Sequence, residues 1–272
     1  MIGAGRVDGS TLATATGTFR DDDASSRAGS PGAQASGAGQ PGVPTLTHVD
    51  HENVAHWDGV TRRSSFKDTY AAQRDRLADA ARDGHWHTVF EILEKDRKAV
   101  NTARLEGRSG YTLLHQAAWH GASAETVGRL LEAGAWRTLR AGDGARAVDI
   151  AARRGHHHIT AALCPEIRHP LPADVTGRLQ YHLHRLIRHR AGLEDGSDLA
   201  TQQGMRLPEV EVLTELSHPV CWFPVPGMYG GFKIRLSDSE LTVDSWIRIV
   251  GGSERTDVVR VDGVNVQEGG QL

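Results

Sequence analysis

The side chains best suited to chemistry in this chain are its histidines and its two cysteines. His218 precedes Cys221 by three residues, which makes it the nearest candidate base for a thiol nucleophile. In an extended segment an odd offset sends two side chains to opposite faces, so the pair cannot touch. His156, His157 and His158 are consecutive. Neighbouring residues of a helix point in different directions, so the three cannot close on one ion. His48, His51 and His56 lie among charges and read as solvated. Gly227, Gly230 and Gly231 lack the lysine and following helix of a phosphate loop. Asp238, Glu240, Asp244 and Asp257 show no spacing that pairs an acid with a base. No catalytic residue, metal site or cofactor is expected.

The scaffold that must position these residues is bounded by composition. The 272 residues suffice for two ordinary domains. A hydrophobic fraction of 39% against 24% charged residues allows part of the chain to bury a core. The formal net charge of −3 argues against a general nucleic-acid or membrane-surface binder. Cys164 and Cys221 are far apart, which fits a reducing compartment, and a cytoplasmic location is expected. No apolar run approaches the roughly 18 residues of a membrane span. Met1–Ala13 has no basic region followed by an apolar one, so no secretory signal is expected. Residues 1–45 are rich in Gly, Ala, Ser and Pro, with Phe19 as their one aromatic. Such a segment buries too little apolar surface to offset the entropy of ordering and reads as a disordered tail. Residues 46–73 are transitional, with Phe66–Tyr70 as a helix start.

An internal repeat follows. A paired alanine with a glycine three residues on occurs as Ala80-Ala81 with Gly84, Ala117-Ala118 with Gly121, and Ala151-Ala152 with Gly155. The glycines are 37 and 34 residues apart. After each comes an apolar set at helical spacing: Val89, Ile92 and Leu93; Val127, Leu130 and Leu131; Ile159, Ala162 and Leu163. Each unit reads as two short antiparallel helices. The glycine ends the first helix, and small alanines let neighbours approach. One pair cannot bury its face alone, so the units must stack.

The central unit, Gly110-Tyr111-Thr112-Leu113-Leu114-His115-Gln116-Ala117-Ala118, followed by Leu130–Ala135, resembles the ankyrin repeat. Leu113 stands where the family has proline. Ala147–Ala152 is a degenerate form of the same motif, and Leu77–His85 resembles an N-terminal cap. The resemblance covers about residues 74–167. It implies that Thr112 and His115 hold the turn into the helix, with Gly121 and Gly155 ending first helices. It also implies that partners meet the loop tips and the exposed faces of the first helices. Those positions include Arg104, Glu106, Arg108, Trp119, His120, Trp136, Arg140, Asp143 and Arg153. Trp119 and Trp136 are the expected anchors, because aromatics and arginine dominate interface energetics.

Pro170 and Pro172 mark a linker into residues 175–272. Leu179, Leu183, Leu186 and Ile187 form an apolar helical stripe, expected to dock on the last unit. Arg178, His182, Arg185 and His189 form a second, basic stripe without an acid. Leu207–Leu216 reads as a short helix or strand. From Val220 the signals are β: Val220–Val225 at an edge because of Pro224, Phe232–Leu236 alternating, Leu241–Val250, and a hairpin through Asp262-Gly263. The fold class is therefore a short ankyrin-type α-solenoid followed by a small α+β module with an antiparallel meander. In a meander the loops Pro226–Gly231 and Gly251–Arg255 fall at one end, near Trp222 and Trp246, with Met228 and Tyr229 projecting. The expected function is a monomeric, non-catalytic scaffold for an unidentified protein partner, with no nucleic-acid or membrane binding. Alternatives are an immunity-type or regulatory protein that neutralises a toxin or effector, and an enzyme whose site lies in the C-terminal module.

Overall fold

The computed structural model describes residues 54–191, 204–226, 230–247 and 253–267. The expected tail over 1–45 and Met228 and Tyr229 lie outside them, as do residues 195–203, which read in the sequence as a polar loop. The fold is mixed α/β. Its helical half contains three antiparallel pairs: α1 (Asp68–Arg82) with α2 (Trp86–Lys95), α3 (Leu113–His120) with α4 (Ala124–Glu132), and α5 (Ala147–Arg153) with α6 (His157–Leu163). The first helices stack side by side, with α3 between α1 and α5. Ala81, Ala117, Ala118 and Ala151 are fully buried along that contact, which their small size permits. Gly84, Gly121 and Gly155 take φ of 75°, 62° and 74° where the first helices end, a left-handed conformation that costs other residues strain. At Gly121 a side chain also has no room, because a Cβ would lie 2.5 Å from His156 Nδ1. Val89, Ile92, Leu93, Val127, Leu130, Ile159 and Leu163 share one core. Helix α1 starts at Asp68, within the expected start Phe66–Tyr70, and runs on past Arg74, with Ala71 and Arg74 buried on it. Arg74 is held there by an ion pair to Asp58 and by a 3.0 Å bond to the Ala103 carbonyl.

The second half is a six-stranded sheet in chain order: β1 (Ala55–His56), β2 (Val220–Val225), β3 (Gly230–Ser237), β4 (Glu240–Ile247), β5 (Ser253–Arg260) and β6 (Gly263–Gln267). β1 pairs parallel to β2, and every other pairing is antiparallel. The two-residue β1 covers only Cys221 and Trp222, so β2 lies one strand in while Pro224 keeps an open side. Cys221, Phe223, Phe232, Ile234, Leu236, Leu241, Val243 and Val259 alternate onto one face. Helices α7 (Ala173–Arg190) and α8 (Val210–Glu215) cover that face. This corrects the expected docking of the α7 stripe. Leu179, Leu183, Leu186 and Ile187 pack on the sheet, not on α5–α6, because the sheet offers the larger apolar surface. The last hairpin turns on Val261 and Asp262, since Gly263 already pairs with Arg260. Gly230 pairs with Ile247, which pairs with Ser253, so the strand ends flanking both glycine segments lie at one end of the sheet.

The loop between α4 and α5 joins the halves. Asn101 clamps its start, donating to the Gly134 carbonyl at 2.8 Å and accepting from the Trp136 N–H at 2.9 Å. The Trp136 ring then stacks on Trp57 with centroids 5.4 Å apart and planes 14° from parallel. Glu215 of α8 accepts from the backbone N–H groups of Arg137 and Thr138 and from the Thr138 hydroxyl. Glu211 takes Arg140 and Arg146, and Glu209 takes the Arg140 N–H. Trp136→Ala removes a buried ring at this joint and should cost about 3–5 kcal/mol of unfolding free energy, read from urea unfolding.

Candidate protein-binding surface

The candidate surface is built on the first helices. Thr112 is the N-cap of α3, and it closes a reciprocal cap with His115. The Thr112 N–H donates to His115 Nδ1 at 3.3 Å, and the Thr112 hydroxyl lies 2.7 Å from the same nitrogen. This holds the imidazole inside the stack at 1% exposure. Burial, and then the positive charge of Arg206, push its pKa down to about 4, against the backbone of Ala145 and Leu139.

His115 and Trp119 lie one turn apart on α3, and Tyr111 just before its N-cap lies four residues ahead of His115. The Tyr111 ring lies 5.7 Å from His115 and 6.2 Å from Trp119. Trp119 is 42% exposed, and the Arg154 guanidinium sits 4.0 Å from its ring centre. Beside Arg154, Arg153 approaches Asp143 at 3.4 Å. Next to Asp143, the Gly142 N–H donates to the Ser109 carbonyl at 2.7 Å, two residues before Tyr111. Tyr111, Trp119 and Arg154 thus form a patch over the second and third units, and the Arg153–Asp143 pair adjoins it along the chain. Arg153 holds the Asp143 carboxyl below the usual range, after the larger effect of the Ala145 N–H. His120 borders the patch, with Nε2 2.7 Å from the Arg82 carbonyl and its ring edge-on to Trp86 at 6.3 Å.

Trp136 and Arg140 do not belong to this patch. Trp136 is 8% exposed, so its expected role as a contact anchor is corrected to that of a core residue of the joint. Arg140 is spent on Glu211 and on the Gly144 carbonyl. Arg104 pairs with Asp79, and Glu106 accepts from the Arg63 N–H. His156 and His158 place Nε2 3.2 Å from the carbonyls of Trp119 and Ala122, and so tie the third unit to the second. Tyr111 and Arg154 were missed in the sequence. The signal for Arg154 was present, because it occupies the position of His120 once the alanine pairs are superimposed.

Elsewhere, burial pushes the Cys221 thiol up to about 12, so it holds its proton at neutral pH. Cys164 and Cys221 are free. Among the described residues no group of three or more His, Cys, Asp or Glu gathers as metal ligands. No described helix is long and apolar enough to cross a membrane. His182, Arg185 and His189 of the basic stripe line a groove of about 600 Å³ with Arg190, Arg255 and the β5–β6 hairpin, and Arg178 lies outside it. In the same groove Arg190 forks onto the fully buried Asp257, with Nη2 donating to Oδ1 at 2.8 Å and Nε to Oδ2 at 3.2 Å.

The depressed pKa of His115 makes stability pH-dependent, with a definite sign. The neutral ring is favoured in the fold, so its contribution is complete above the ordinary histidine value. It is lost as pH falls from about 6.5 towards about 4. Between about pH 7 and about pH 4.5, the stability advantage of the native chain over His115→Gln should shrink by about 2–3 kcal/mol. Urea unfolding at both pH values measures it.

No family model matches the sequence, and no curated protein matches it. Among solved structures the chain is similar to a chain of a complex between a predatory endopeptidase from Bdellovibrio bacteriovorus and an immunity protein. The identity is 26%, with 32% of this chain and 42% of that chain covered and a TM-score of 0.28. The chain thus spans less than half the length of that neighbour, and a likeness this slight carries no conclusion about fold or activity.

Proposed function

We propose that this chain is a non-catalytic protein–protein interaction scaffold of the ankyrin-repeat type, acting as a cytoplasmic monomer. Three stacked helix pairs support the reading, as do glycines 37 and 34 residues apart at the ends of the first helices. The reciprocal Thr112–His115 cap sits where the repeat motif is most complete. The observation that carries the proposal is the half-exposed Trp119 ring, held under Arg154 on the exposed side of α3. A large aromatic kept in water by the fold, beside arginines, has the composition of an interface anchor. The α8 side of the neighbouring loop is already occupied by the chain's own second half. The face over Tyr111, Trp119 and Arg153 is therefore the part of the repeat surface left for a partner.

The test is capture of the native partner by immobilised full-length chain, with and without Trp119→Ala. Trp119 contributes little to the core, so the variant should unfold at an unchanged temperature and lose the principal partner. Loss of an interface anchor typically costs 2 kcal/mol or more, a roughly thirtyfold fall in affinity. Retention of the same partner at the same affinity overturns this surface.

A further inference from the structure

The charges around Trp119 are not balanced in the way of those on the first unit. Arg82, on the C-terminal turn of α1, lies between Asp79 at 3.0 Å and Asp83 at 2.9 Å. On the third unit the corresponding stretch is Arg153-Arg154. Arg153 has only a long contact with the half-exposed Asp143, at 3.4–3.5 Å. Arg154 touches the Trp119 ring and makes no side-chain hydrogen bond or ion pair to the described residues. A guanidinium held against a ring by one face keeps its in-plane N–H donors for a planar acceptor. Holding it there in advance lowers the entropy lost when that acceptor arrives. Among the described residues the acid paired next to this patch is Asp143, and Arg153 faces it. The complement of this surface is thus a carboxylate next to an apolar group.

Building on the reading of this face as a partner surface, we propose that the partner docks an acidic segment here. A carboxylate of the partner accepts from Arg154, with Arg153 beside it, while an adjacent apolar side chain packs on Trp119 and Tyr111. The recognised chemistry is therefore an acidic, partly apolar polypeptide segment.

The probe is a fluorescein-labelled peptide of alternating glutamate and leucine, with glutamine and lysine versions as controls, titrated with the full-length chain by fluorescence anisotropy. The glutamate peptide should bind most tightly and weaken as salt is raised. Arg154→Gln should weaken it about tenfold or more. Arg154→Lys should recover part of that loss, since it restores charge without the fork. Arg76→Gln, an exposed arginine on α1, should leave binding unchanged. Equal binding of the three peptides, binding by none of them, or an unchanged affinity in Arg154→Gln overturns the proposal. The two readings fail separately. If Trp119→Ala releases the native partner but Arg154→Gln neither releases it nor affects the peptide, the scaffold stands and the acidic segment falls. If Trp119→Ala keeps the partner, the surface itself is wrong.

Discussion

The stack of Trp57 on Trp136 is the contact through which the two halves of the described structure are fixed to each other. Three segments meet at it. Trp57 follows the two-residue strand that adds to the sheet, and its N–H donates to the Trp222 carbonyl at 2.8 Å. Trp136 begins the loop between the second and third helix pairs. The indole Nε1 of Trp57 donates at 2.7 Å to the carbonyl of Arg206, just before α8, and the Arg206 guanidinium lies 5.6 Å from the Trp57 ring centre. The approach is close enough that Gly59 has no space for a side chain, since a Cβ would fall 2.1 Å from the Arg206 carbonyl oxygen. Glu215 beside this joint is largely buried, and its bonds to the loop are stronger in that less polar medium. Burial raises the pKa of Glu215 even against the opposing bonds from Thr138 and Arg137.

Two other buried charges show the same logic at the edges of the molecule. Arg74 on Asp58 ties the first helix to the segment leading out of the sheet, and Arg190 on Asp257 ties the end of α7 to β5. A buried pair adds little net stability over an apolar replacement, yet losing one partner costs about 3–5 kcal/mol. These pairs therefore select one docking of helix on neighbour and penalise the others. Hydrophobic packing supplies most of the driving force, and these pairs discriminate between orientations that packing alone would leave close in energy.

The helical pairs were legible because their signals are local. The alanine pairs, the glycines and the apolar positions all lie within one unit's length, and the observed helices carry them. The strands Phe232–Leu236 and Val258–Val266 were legible for the same reason, through alternation and a turn. What escaped depends on distant partners. The strand Ala55–His56 has two residues, too few for any period, and it exists because β2 offers it an edge. The start of α1 was legible within Phe66–Tyr70, but its run past Arg74 was not, because Arg74 looks like a surface residue until Asp58 and Ala103 are seen around it. The apolar stripe of α7 was correct as a stripe, but periodicity names a buried face without naming what buries it. Trp136 was misplaced because an aromatic at a loop tip looks the same in sequence whether it faces a partner or the chain's own second half.

That last ambiguity shapes the candidate site. The loop between α4 and α5 divides its residues between two sides. Trp136, Thr138 and Leu139 are buried towards the sheet half, and Arg137 and Arg140 bond there. Gly142 and Asp143 turn back to the Ser109 segment and Arg153. A partner gripping the whole loop would have to displace the Trp57–Trp136 stack and leave Glu215 buried without its three donors. Leaving buried polar groups unpaired is costly enough to make that mode unfavourable. A partner resting on Trp119, Tyr111 and the paired arginines pays no such cost, since those groups are already exposed and held in place. The joint that fixes the two halves thereby also leaves exposed the face of the second and third units that is proposed for recognition.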